Sequence, residues 1–161
     1  MKAPKVLIGM LVVLIAITAL TFATLQYLEI NADHYVEIDV IKVGDNGFIF
    51  LSNDSCVGIV ARASEERAES IRMGVDKEIG TRPNTHDTFA ETLKHFDITL
   101  DKVIVKKIVD NTFHAEMYLQ QGDRVLILDS KPSDAIATAL RTNSSIYFNK
   151  TLFEIRKEKI C

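Results

Sequence analysis

Residues 81–147, TRPNTHDTFAETLKHFDITLDKVIVKKIVDNTFHAEMYLQQGDRVLILDSKPSDAIATALRTNSSIY, decide the fold. Two polar clusters, Arg82 to Asp87 and Asp129 to Asp134, stand where helices should begin. Pro83 and Thr85 open a helix from Thr85 to about Phe96, with Phe89, Leu93 and Phe96 as its apolar stripe and His86 on the same side. Residues 102–109 and 112–119 read as a β-hairpin around Asp110-Asn111. In its second strand Phe113, Ala115, Met117 and Leu119 take the core face, and His114, Glu116 and Tyr118 the other. Val125 to Leu128 is apolar on both faces, which predicts a central strand over residues 124–129. Pro132 suits a first helical turn, where its missing N–H costs nothing. The helix it opens runs to a stop at Asn143.

Working outward, residues 35–43 alternate as a half-buried strand. Gly44-Asp45-Asn46-Gly47 is a turn by chemistry, and strands follow over 48–51 and 56–61. Ser64 with Glu65 and Glu66 starts a helix to about Val75, since acids complement the positive helix end. A short strand over 146–148 and a terminal helix over 152–159 complete the chain. This order predicts an α+β domain, a mixed sheet packed with helices, over residues 35–161.

One transmembrane helix is expected ahead of that domain. Residues 6–28 contain no charged side chain. As a helix they would span roughly 34 Å at about 1.5 Å per residue, against a bilayer core of about 30 Å. The run exceeds the apolar part of a cleaved signal peptide, so an uncleaved anchor is expected. Lys2 and Lys5 precede it, and Glu29, Asp33, Glu37 and Asp39 follow. The positive-inside rule then places residues 1–5 in the cytoplasm and, past a linker over 29–34, the domain outside. Beyond residue 28 the chain carries 17 Lys and Arg against 22 Asp and Glu, a net charge of −5. An extended basic stripe for a phosphate backbone is missing from this balance; only Lys106-Lys107 and the tail offer short basic spots. The two cysteines, Cys56 and Cys161, allow one bridge, or are a buried strand residue and a frayed end.

The polar clusters admit two readings each. His86 beside Asp87 could serve as base, metal ligand or phosphate contact, or Asp87 could merely offset the helix dipole while His86 packs. Asp129 and Asp134 could hold a divalent cation through oxygen ligands, or be capping and first-turn acids. Arg82 and Arg141 could clamp phosphate, or form surface ion pairs.

At these residues the chain resembles the bifunctional nuclease domain family. The matching pieces are Arg82 to Asp87, Asp110 to Ala115 and Leu128 to Ala137, with Ala139-Leu140-Arg141 and Ile146-Tyr147 continuing the match. The resemblance spans roughly Tyr35 to Glu154; it departs at Lys131, where the family tends to have arginine. It implies a compact α+β fold, a homo-oligomer, and DNase and RNase activity on a nucleic-acid partner. Carried over by position, His86, Asp87, Asp129 and Asp134 are the expected catalytic residues. Arg82, Ser133 and Arg141 are expected to bind substrate, and Asp129 and Asp134 to hold Mg²⁺ or Mn²⁺. The expected protein is therefore a membrane-anchored nuclease. The alternative is a non-catalytic binding or assembly module in which the same residues cap helices.

Overall fold

The computed structural model describes residues 9–18, 20–21, 34–53 and 56–160. The chain divides into two units, residues 1–34 and 35–161. In the first, residues 9–18 and 20–21 are helical (α1), and their apolar side chains, Met10 to Leu14 among them, are exposed. No helix among the described residues is long and apolar enough to cross a membrane. Residues 1–5 and 29–33, and much of the 6–28 span, lie outside the described residues.

The second unit is an eight-stranded mixed sheet with helices. Its strands are β1 (Tyr35–Val43), β2 (Phe48–Ser52), β3 (Val57–Arg62), β4 (Thr99–Val109), β5 (Thr112–Gln121), β6 (Arg124–Ser130), β7 (Ser145–Asn149) and β8 (Glu158–Lys159). They lie in the order β6-β5-β4-β7-β1-β2-β3-β8. Only β4 and β7 run parallel; the other neighbours are antiparallel. The parallel pair requires a crossover, and α4 (Pro132–Thr142) supplies it between β6 and β7. Helices α2 (Glu65–Asp76) and α3 (Thr85–His95) both pack against α4, which itself lies on β4, β5 and β7. A last helix, α5 (Lys150–Arg156), sets Phe153 edge-on to Phe148 at 6.3 Å between ring centroids.

Alternation fixes which sheet face meets the helices. Val103 pairs with Met117 and Ile146, and Val105 with Ala115 and Phe148; all six are buried. Ala135, Ile136 and Ala139 of α4 join them in one core. Small side chains on α4 let the helices come close. The same holds on α2, where a Cβ at Gly74 would sit 3.0 Å from Leu140 Cβ. Burial of this apolar face is the main favourable term in folding.

Three sequence expectations need correction. Strand β6 is not central: it is an edge strand, and Val125, Leu126 and Ile127 are 65%, 54% and 51% exposed. Its apolar run reports burial on both faces, but periodicity carries no information about which strands flank it. The terminal helix over 152–159 is the shorter α5, after which β8 pairs with β3. The Ile160 N–H donating to the Cys56 carbonyl at 3.0 Å extends that pairing. Phe96, placed on the stripe of α3, is the C-cap residue and is exposed. Cys56 is disulfide-bonded; the chain's other cysteine, Cys161, lies outside the described residues.

Candidate functional site

The two polar clusters do meet, through the first turns of α3 and α4. Asn84 is the N-cap of α3. Its Oδ1 accepts from the N–H groups of His86 and Asp87 at 2.9 and 3.0 Å, while its own N–H donates to Asp87 Oδ2 at 2.8 Å. This reciprocal capping box satisfies donors the helix start would otherwise leave free. At α4, Pro132 occupies the first turn, and Asp134 stands just inside it. The result places His86 Nε2 3.7 Å from Asp134 Oδ1, at an ion-pair distance longer than a hydrogen bond. The two side chains are 18% and 39% exposed, so solvent reaches both. Ser133 donates to the same Asp134 oxygen at 3.2 Å.

The other nitrogen of His86 is held by a residue the sequence reading missed. Ser70, buried on α2, lies 2.9 Å from His86 Nδ1. Its hydroxyl oxygen accepts from Asn84 Nδ2 at 3.3 Å and from Arg141 Nη2 at 3.4 Å. Both of those groups can only donate. The single hydroxyl proton of Ser70 is therefore left for Nδ1. The neutral imidazole then carries its own proton on Nε2, facing Asp134. One signal could have pointed to Ser70: it is a polar residue on the buried side of α2, one position before Ile71.

Beneath this pair lies a buried ion pair. Arg141 Nε donates to Asp87 Oδ1, and both side chains are only 8% exposed. Arg141 Nη1 also donates to the Ser70 and Ala137 carbonyls at 3.0 and 2.8 Å. One guanidinium thus ties α2, α3 and α4 together. Burial alone would raise the Asp87 carboxyl, but Arg141 and the Asn84 N–H outweigh it and hold it below the ordinary carboxylate value. His86 is shifted down: burial disfavours its charged form, and this exceeds the pull of Asp134. An imidazole neutral at pH 7 follows.

The His86 shift has a consequence for stability. In the unfolded chain the ring takes up a proton near the ordinary 6.5, in the fold only at lower pH. Stability is therefore full above 6.5 and is lost as pH falls through the lowered folded value. Urea unfolding from about pH 7.5 to about 5.5 should show a flatter pH dependence in His86→Asn than in the wild type. Equal slopes would contradict the assignment.

The remaining expected site residues lie elsewhere. Asp129 pairs with Glu116 across β5 and β6, and the strand alternation places it on the sheet face away from α4. There it lies 3.8 Å from His114 Nδ1, with its side chain 83% exposed. No hydrogen bond or ion pair among the described residues joins Asp129 to His86, Asp87 or Asp134. Arg82 is exposed in the loop between α2 and α3. Among the described residues, no group of three or more His, Cys, Asp or Glu is arranged to hold a metal ion. The donors do not fit a protein-built metal centre around the expected Asp129–Asp134 pair.

A family model of the bifunctional nuclease domain matches residues 52–160, more than half of the chain. A comparison with curated proteins finds no match.

Proposed function

Because the chain belongs to the bifunctional nuclease domain family, we propose that it hydrolyses phosphodiester bonds of DNA or RNA at the His86–Asp134 pair. The observation that carries this reading is the approach of His86 Nε2 to Asp134 Oδ1 at 3.7 Å, with Ser70 orienting the ring from behind. Asp134 takes the proton of an attacking water as its oxygen adds to phosphorus. The phosphorus–oxygen bond to the leaving group breaks, and the leaving oxygen takes a proton from solvent. His86 keeps its Nε2 proton and hydrogen-bonds the phosphoryl oxygen on which negative charge builds. Arg82, exposed and without an ion-pair partner among the described residues, steadies the substrate phosphate, and Ser133 positions Asp134. Asp87 and Arg141 act as positioning residues, through α3 and Ser70.

The test is incubation of the purified full-length chain with labelled single- and double-stranded DNA and RNA, with and without Mg²⁺ or Mn²⁺. Cleavage that disappears in Asp134→Asn is expected. Cleavage of equal rate in that variant would remove the site from the reaction. Nucleic-acid binding with no cleavage under any condition would favour the alternative, a binding module.

Membrane anchoring through residues 6–28, with the domain outside, belongs to the same proposal and rests on that apolar run. Digestion of the domain by protease added to the cytoplasmic side of membranes would overturn it. A homo-oligomer is also proposed, formed through β6. This strand has the apolar pattern of a central strand, yet it is the sheet's open edge. Exposed apolar edges invite strand pairing. A twofold axis normal to the sheet keeps each residue on its own face, so antiparallel pairing centred on Ile127 sets Ile127 against its own copy. Ile127→Lys is expected to halve the mass found by sedimentation in density-matched detergent. An unchanged mass would exclude β6 as the contact.

A further inference from the structure

One cavity of the domain combines an apolar lining with cationic side chains. It encloses about 340 Å³, at the low end of the range for small-molecule sites. Its floor is apolar: Ile49 and Leu51 of β2, Ile136 of α4, and the rings of Phe113 and Phe148. Those two rings pack edge-to-face with centroids 5.7 Å apart. Three cations line it, Arg62, Arg67 and Lys131, and no carboxylate does. None of the three makes an ion pair among the described residues; Arg62 lies only over the Phe48 ring, 5.5 Å from its centroid. In a domain of net charge −3 over residues 35–161, three unneutralised cations around one apolar hollow call for an anion with a flat apolar body.

We propose that this cavity holds one nucleotide unit of the substrate, with its base against the half-buried Phe113 ring, which Phe148 backs, and its phosphate among Arg62, Arg67 and Lys131. The link to the reacting pair is Ser133, which lines the cavity and donates to Asp134 at 3.2 Å. A nucleotide seated here leaves its neighbouring phosphodiester beside Asp134 and His86. Base contacts of this kind are tolerant of sequence, since every base has an aromatic face. The charge-assisted contacts supply the selectivity for phosphate. The inference rests on the nuclease reading for its substrate class.

Calorimetric titration of the full-length chain in detergent with adenosine 5′-monophosphate, adenosine and inorganic phosphate tests it. The nucleotide should bind at least about tenfold more tightly than either fragment. The double variant Arg67→Glu, Lys131→Glu, both positions being exposed, should raise the nucleotide Kd about tenfold or more while circular dichroism stays unchanged. Binding sensitive to charge reversal without any cleavage upholds the cavity and sinks the nuclease reading, which separates the two proposals. Overturning results are an unchanged Kd in the double variant, phosphate alone binding as tightly as the nucleotide, or no nucleotide binding by folded wild-type chain.

Discussion

Asp134→Asn is expected to slow phosphodiester cleavage about 10²–10⁴-fold, the range for loss of a general base. The amide nearly preserves shape and leaves the Ser133 contact in place, so the change isolates the proton acceptor. His86→Ala should cost about 10²–10³-fold, the range for removing one donor from developing negative charge. The two effects differ in kind. Asp134 accepts a proton in the step, whereas the neutral His86 only donates a hydrogen bond. Ser70→Ala separates these roles further. Without the hydroxyl, Nδ1 loses its donor and the ring is free to place its proton on either nitrogen. The rate should fall through kcat with KM little changed, because Ser70 acts on ring orientation rather than on substrate. Single-turnover measurements across the three variants check this order. A Ser70→Ala enzyme with wild-type kcat would sink the tautomer assignment.

The helix starts were readable from the chain because their causes are local. The opening of α3 at Pro83 and Thr85, of α4 at Pro132 and the close of α4 at the left-handed Asn143 each rest on chemistry contained within a few residues, although Asn84 as the N-cap of α3 emerges only from the structure. The alternation of β5 was readable for the same reason: Ala115, Met117 and Leu119 are buried as their spacing requires. What failed was information held between segments. Nothing in Val125 to Leu128 says that β6 has a neighbour on one side only, and nothing in the tail says that Glu158 and Lys159 find β3. The site divides in the same way. His86 and Asp134 were expected to approach, and the packing of α3 on α4 brings them together. Asp129 parts from them because it still belongs to a strand, where alternation turns it to the far face, while Asp134 sits in a helix five residues on. Ser70 escaped notice because its partners lie 14, 16 and 71 residues away.

Arg141→Ala is expected to lower unfolding free energy by about 3–5 kcal/mol, the cost of breaking a buried ion pair from one side. The magnitude follows from what remains. The Asp87 carboxylate stays 8% exposed with one oxygen still capped by the Asn84 N–H and the other stripped of its cation. The Ser70 carbonyl loses its Arg141 donor as well. An exposed pair would cost at most about 1 kcal/mol, so a loss that small in urea unfolding would contradict the burial described here. Asp87→Ala should be costly for the mirror reason, leaving the guanidinium buried without its carboxylate. The double variant should then lose less than the two single losses added, because each single change strands a charge that the other removes. Additive losses would mean the two residues act independently, and the case for Arg141 as the tie among α2, α3 and α4 would fail with them. Arg141 also donates to Ser70 Oγ, so its removal frees an acceptor on the hydroxyl that orients His86. In a double variant refolded to adequate stability, cleavage should stay depressed through kcat. That coupling is what joins the stability of the helical layer to the chemistry at its surface.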